Sequence, residues 1–431
     1  MLKLLVIFLG LVLLVAAKPA LFEDADPSKI HAVLVSGVED PSQNTFGTNY
    51  ALEVEVARTY HWLVDHGVLA ENIILFMNGK FVNYTENPKP NTLYADKDLS
   101  RNYAEGLQID YSDKDVTPEN FLAVIQGESD KLKGIGSGRV LKSTEKNRVF
   151  ISHESHGDSG VLALGNSWLT VQDLNNALKN MEKKKMFFEL LYYVVACHSG
   201  SMFSGQLNKD GKIYAFTASS PNRNASTLPC SMSVVGEKEI RICRGTQFGK
   251  AWLDNVEEKN TKEETLDQQY KIVVSQVKSK DDSQRYGNMK IGKEPVANFE
   301  GVNTNTSTKS TINNRFASGQ NDEDSIPISP IASYLLLKRK LKNSKKFAEQ
   351  KELKEQLTLT GKSTNFKEFS KPPSQIMQLD CHSNVVKAIW NECKKIKKSP
   401  FVYEFITPVV NLCEQRYPAD KIVEQIKKQC S

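Results

Sequence analysis

The chain has 431 residues, 40% of them hydrophobic, enough to bury a large core and to hold two folded units. Its 56 Lys and Arg stand against 51 Asp and Glu, but residues 331–431 alone carry 20 against 10, which leaves a net −5 on residues 1–330. In a secreted chain that separation argues against nucleic acid and for an acidic partner within the same polypeptide.

Residues 1–17 (MLKLLVIFLGLVLLVAA) read as a signal peptide, with one lysine, an apolar run and small residues before Lys18. No later run is apolar enough to span a membrane, so no membrane partner is expected after cleavage. Sequons at Asn83, Asn224 and Asn305 suit that route. Strand-like runs follow at 30–35, 72–77, 149–152, 190–196 and 213–218. Helical patterns lie between them at 52–65, closed by His66-Gly67, and at 170–184, opened by Thr170 and Asp173. Alternation of this kind predicts a mostly parallel sheet flanked by helices, with the site beyond the carboxyl ends of its strands. The folded unit is expected over 18–292. An Asn, Thr and Ser-rich linker and activation segment then covers 293–345, and a basic helical region occupies 346–431, where Cys381, Cys393, Cys413 and Cys430 could form two staples.

Two of the strands run into reactive residues. One leads to His153 and His156 in Ser-His-Glu-Ser-His-Gly157, the other to Cys197 in the turn Ala196-Cys-His-Ser-Gly-Ser201. A metal site at the histidine pair would want further ligands and no third one is obvious, which disfavours zinc, so no metal or cofactor is expected. A buried cysteine after a strand is by itself most often inert. Beside a histidine on a neighbouring strand it becomes a nucleophile for acyl transfer, with turn amides to hold an oxyanion.

These residues resemble the legumain family of cysteine peptidases. Family-like stretches also include 115–124, 134–143, 264–270, Tyr286-Gly-Asn288 and Val409-Val-Asn-Leu-Cys413, so the resemblance covers nearly the whole mature chain. It implies a caspase-like α/β fold with a C-terminal disulfide-stapled helical prodomain. Cys197 would be the nucleophile, His156 the base and Asn49 its orienting partner, with the amides of Gly157 and Cys197 as the oxyanion hole. The prodomain would inhibit intramolecularly, cystatin-type inhibitors are expected partners besides protein substrates, and processing would fall at Asn343. The pairing implied is Cys381 with Cys413 and Cys393 with Cys430; Cys230 and Cys243 are left either bonded or reduced.

The substrate-binding positions depart from the family. Ala51 and Leu52 stand where an Arg-His pair is usual, Val195 replaces a glutamate, and Thr246 replaces an aspartate; Ser226 and Thr227 complete the expected wall. Ser155 stands in place of the aspartate before the base. Loss of the zwitterionic pocket implies that strict cleavage after asparagine is impaired, since an amide left unpaired costs roughly 1–3 kcal/mol. Two rival readings are a catalytically weak or inactive binding protein and a peptide ligase using the same acyl-enzyme. A lipid-anchor transamidase subunit would lack the four-cysteine tail.

Overall fold

Five runs rich in β-branched and aromatic residues build the central sheet: β1 (Ile30–Ser36), β2 (Ile73–Phe76), β3 (Arg148–Glu154), β7 (Glu189–Val195) and β8 (Ile213–Thr217). Between β3 and β7 lies a small antiparallel sheet of β4 (Gly157–Asp158), β5 (Val161–Leu164) and β6 (Ser167–Thr170). After β8 come the hairpin β9 (Ser231–Val235) and β10 (Lys238–Ile242), then the edge strand β11 (Gln284–Gly287). The molecule is known as a computed structural model that describes residues 25–38, 46–96, 99–236, 238–277, 281–304, 371–393, 403 and 406–430.

The main sheet has the order β11-β8-β7-β3-β1-β2, parallel throughout except for β11 against β8. Both faces are covered, which is why its strands read as unbroken apolar runs rather than alternating ones. One face packs against α2 (Pro118–Ile125) and α3 (Val171–Lys183). The other meets α1 (Phe46–Asp65), α4 (Gln247–Glu258) and α5 (Leu266–Val277). The α3 cap is the expected one: Thr170 Oγ1 accepts from the Asp173 amide at 3.2 Å and donates to its carboxylate at 2.8 Å. Helix α1 begins earlier than its apolar pattern suggests, and it is buried nearly all round with Glu53, Glu55 and Arg58 inside the protein.

The packed unit continues past residue 292 through the short helix α6 (Ala297–Glu300). Trp62 Nε1 donates to Glu300 O at 2.7 Å, and Asn303 Nδ2 donates to Val256 O at 2.9 Å, so hydrogen bonds in both directions tie this stretch to the core. The leader, Asn305, Asn343 and residues 305–370 lie outside the described residues, while Asn83 and Asn224 are exposed.

The C-terminal unit consists of α7 (Leu379–Glu392), α8 (Ile406–Glu414) and α9 (Ala419–Cys430). Disulfides Cys381–Cys413 and Cys393–Cys430 tie α7 to the other two, in the pairing that the resemblance implied. This unit docks on the small sheet and α3. Trp168 lies 5.0 Å from the Trp390 ring and 5.5 Å from Tyr403, and Ile376, Val386 and Ile389 enter the same core cluster. No helix among the described residues is long and apolar enough to cross a membrane.

Candidate active site

Strand register brings the expected residues together. β3 and β7 pair with Glu154 opposite Val195, and Ser155 N continues the ladder to Val195 O at 2.9 Å. Two residues further along each strand stand His156 and Cys197. The two backbones stay close enough that a Cβ on Gly157 would lie 2.6 Å from Cys197 O, so only glycine fits beside the histidine. Asn49, buried in the first turns of α1, places Oδ1 2.6 Å from His156 Nε2. An amide oxygen only accepts, so Nε2 carries the proton and Nδ1 is left as the basic nitrogen.

Six of the seven cysteines are disulfide-bonded, and Cys197 is the free thiol. It is buried, with Sγ 3.8 Å from Ala225 O. The turn that presents it is tightly held. His198 adopts a left-handed conformation at φ 55°, its amide donates to Arg223 O at 2.8 Å, and its Nδ1 lies 3.0 Å from Pro221 O. Ser219 Oγ donates to Ala196 O at 2.9 Å, and Ser201 Oγ accepts from Gly160 N at 2.8 Å.

The expected substrate wall is gathered only in part. Ala51 packs on the Cys230–Cys243 disulfide, the bonded one of the two alternatives left open by the sequence. Thr227 bridges to Thr246, with Oγ1 3.6 Å from Cys230 Sγ. Thr246 caps α4, accepting from Gly249 N at 2.9 Å, and gives both its amide and its hydroxyl to Glu55. Ser226 O accepts from Gln247 N at 2.9 Å. Leu52 and Val195 belong to the large core cluster beneath α1.

Residues 31–304 match the peptidase C13 family. The chain is 31% identical to a hemoglobinase of Schistosoma japonicum across 95% of its own length and 94% of that protein. It belongs to the peptidase C13 family. Bovine legumain is 27% identical over 98% of both chains, and legumain of Canavalia ensiformis 36% identical over 59% of this chain and 52% of that one. A caspase-1 structure from Spodoptera frugiperda aligns at TM-score 0.35 and 11% identity, covering 62% of this chain and 88% of that one. The protein is a legumain-family cysteine endopeptidase.

His153, the first histidine of the pair, sits in the core. Its Nε2 lies 3.2 Å from Ala163 O, its Nδ1 3.4 Å from the Tyr192 hydroxyl, and burial pulls its pKa down to about 4. Sequence reasoning missed a group of buried acids behind the site. Glu53 accepts from Ser36 Oγ at 2.8 Å and Asn78 N at 3.1 Å, and burial raises it to about 7. Burial likewise raises Glu55 to about 7, and it pushes Glu154 well above the carboxylate range. The signal was present: Glu53 and Glu55 stand within the otherwise apolar run from Tyr50 to Ala57.

Proposed function

We propose that Cys197, His156 and Asn49 hydrolyse peptide bonds in a protein made latent and activated by acid. The observation that carries the reading is the 2.6 Å contact between His156 and Asn49 on a strand end in register with the sole free thiol. His156 Nδ1 takes the Sγ proton, and the thiolate attacks the scissile carbonyl carbon. The oxyanion formed is held by the amides of Gly157 and Cys197. As the C–N bond breaks, the imidazolium gives its proton to the leaving amine, and a thioester remains. Water, deprotonated by His156, attacks that thioester and returns the thiol and a carboxylic acid. Labelling of acid-treated protein with an acyloxymethylketone tests this. Label on Cys197 that is lost in His156→Ala supports it, and an unlabelled wild type favours the inactive binding protein.

Latency is supported by where the C-terminal unit sits. Thr407 Oγ1 donates to Asp158 Oδ1 at 2.8 Å and lies 2.9 Å from Ser159 Oγ, while His382 Nε2 lies 3.0 Å from Ser159 O. Those contacts begin two residues after the base. Lys387 adds an ion pair to Asp173 at 2.9 Å.

The acid trigger we infer is His382. It is fully buried, Nδ1 has no hydrogen-bond partner, and burial lowers its pKa to about 4, against the weaker pull of Ser159 O and Asp173. A depressed histidine contributes docking stability that is complete above its ordinary value of 6.5 and is lost as pH falls towards 4. Between pH 7 and 5 the change is about 2 kcal/mol. His382→Gln keeps a donor for Ser159 O but cannot charge. It should cut the pH 5 to pH 7 ratio of release, read by size exclusion after linker cleavage, by about tenfold; an unchanged ratio would discard the trigger. The leader, the sequons and three disulfides favour the secretory pathway.

A further inference from the structure

We propose that Asp281 is the specificity determinant of the cleavage site and receives the cationic end of an arginine or lysine on the acyl side of the scissile bond. The assignment rests on Cys197 being the nucleophile.

Topology places Asp281 at the site. β11 runs antiparallel to β8 with Gln284 opposite Thr217, so the residues just before β11 lie beyond the carboxyl end of β8. That is the rim from which His156 and Cys197 emerge on the neighbouring strands. The backbone there is anchored by Asp281 N to Val277 O at 2.8 Å and Ser283 Oγ to Ala218 O at 3.0 Å. The Asp281 carboxyl faces the hydroxyl and amide of Ser226 in a geometry too loose to satisfy either oxygen. Ser226 directly follows Ala225, whose carbonyl lies 3.8 Å from the nucleophilic sulfur.

The electrostatics ask for a cation. Asp281 is 4% exposed, and neither carboxylate oxygen has a hydrogen-bond partner. Glu55 acts on it as a like charge, and one oxygen each of Glu53 and Glu154 is also unpartnered. Among the described residues, no basic side chain acts on Asp281. Arg58, on the same helix as Glu55, is committed to Asp254 at 3.1 Å and Glu257 at 2.6 Å, and Arg285 pairs with Asp267. A buried carboxyl in this state is destabilising unless a ligand completes it. Asparagine could offer its amide nitrogen to Asp281, but it brings no charge to the carboxylate. A guanidinium or ammonium offers donors alone and the missing charge. Burial holds Asp281 well above the ordinary carboxylate range, so it ionises most readily with the cation in place. The chain carries such a sequence itself in Lys338-Arg-Lys-Leu-Lys342, within its linker.

The test uses full-length protein after acid activation and peptides differing only at the residue before the scissile bond. The expected kcat/KM ratio of Arg over Ala is at least about 50, it increases from pH 4.5 to 6.5, and Asp281→Asn collapses it to within about fivefold of unity. Asp281→Glu, which retains the charge, keeps a preference for Arg. A ratio near one in the wild type, or an Asn peptide preferred over Arg, overturns the assignment. Binding separates this failure from failure of the catalytic reading: in Cys197→Ala, the Arg peptide should bind at least tenfold tighter than the Ala peptide, by titration calorimetry. Equal affinities overturn the assignment whatever the turnover of the wild type.

Discussion

Replacing Cys197 with alanine is expected to lower kcat/KM of the activated protein by at least about 10⁴, because no acyl-enzyme can form without the sulfur. His156→Ala removes both the base and the proton donor for the leaving amine, and should cost about 10³ to 10⁴. The double variant should lose little more than either single one, since the two groups act as a unit. Asn49→Ala acts through His156. It frees the imidazole to rotate and to change tautomer, so kcat should fall about 10- to 100-fold with KM nearly constant and the acid limb of the pH profile displaced. Active-site titration against each variant measures these effects. Wild-type turnover in Cys197→Ala would end the mechanism.

The activated catalytic unit should be markedly more stable at pH 5 than at pH 7.5. Four fully buried carboxyls carry this effect: Glu53 and Glu55 raised to about 7, Glu300 to about 8, and Glu154 raised further in direction, all first by desolvation. A carboxyl whose folded value is raised contributes its full stability below its unfolded value near 4.5. That stability is lost as pH rises through 7 to 8, because folding then requires an ionised group in a dry site or a bound proton. Each contributes about 2 kcal/mol of loss between pH 5 and 7, and the group about 5 kcal/mol once their mutual coupling is allowed for. His153, depressed to about 4, opposes this only as pH falls from 6.5. Thermal unfolding at the two pH values measures the difference, and Glu53→Gln should flatten it by one group's share. Greater stability at pH 7.5 would refute the assignment.

Much of the fold was legible because strands covered on both faces print as continuous apolar runs, and all five parallel strands lie within a residue or two of where those runs place them. Cys197 and His156 were legible as candidates for a related reason, since each stands within two residues of the end of such a strand. The hairpins were not, because β4 has two residues and β9 alternates at the surface, leaving too little pattern to read. The folded unit runs on through Asn303 because Asn303 Nδ2 donates to Val256 O and Thr261 Oγ1 donates to Gly301 O, ties that composition alone reads as a linker. Asp281 was invisible for the same reason: a polar loop residue gains its meaning from β11 turning back along β8, a pairing that no local signal announces.

The packing of Trp168 against Trp390 and Tyr403 has a consequence beyond holding the cap in place. Separation bares an indole that is 6% exposed while docked, together with its apolar surroundings. Emission from Trp168 should therefore shift to longer wavelength as the two parts come apart, an intrinsic optical reporter that needs no label. The same newly wetted patch makes the mature enzyme adhesive, so its yield should fall with concentration and recover when Trp168 is exchanged for a polar residue.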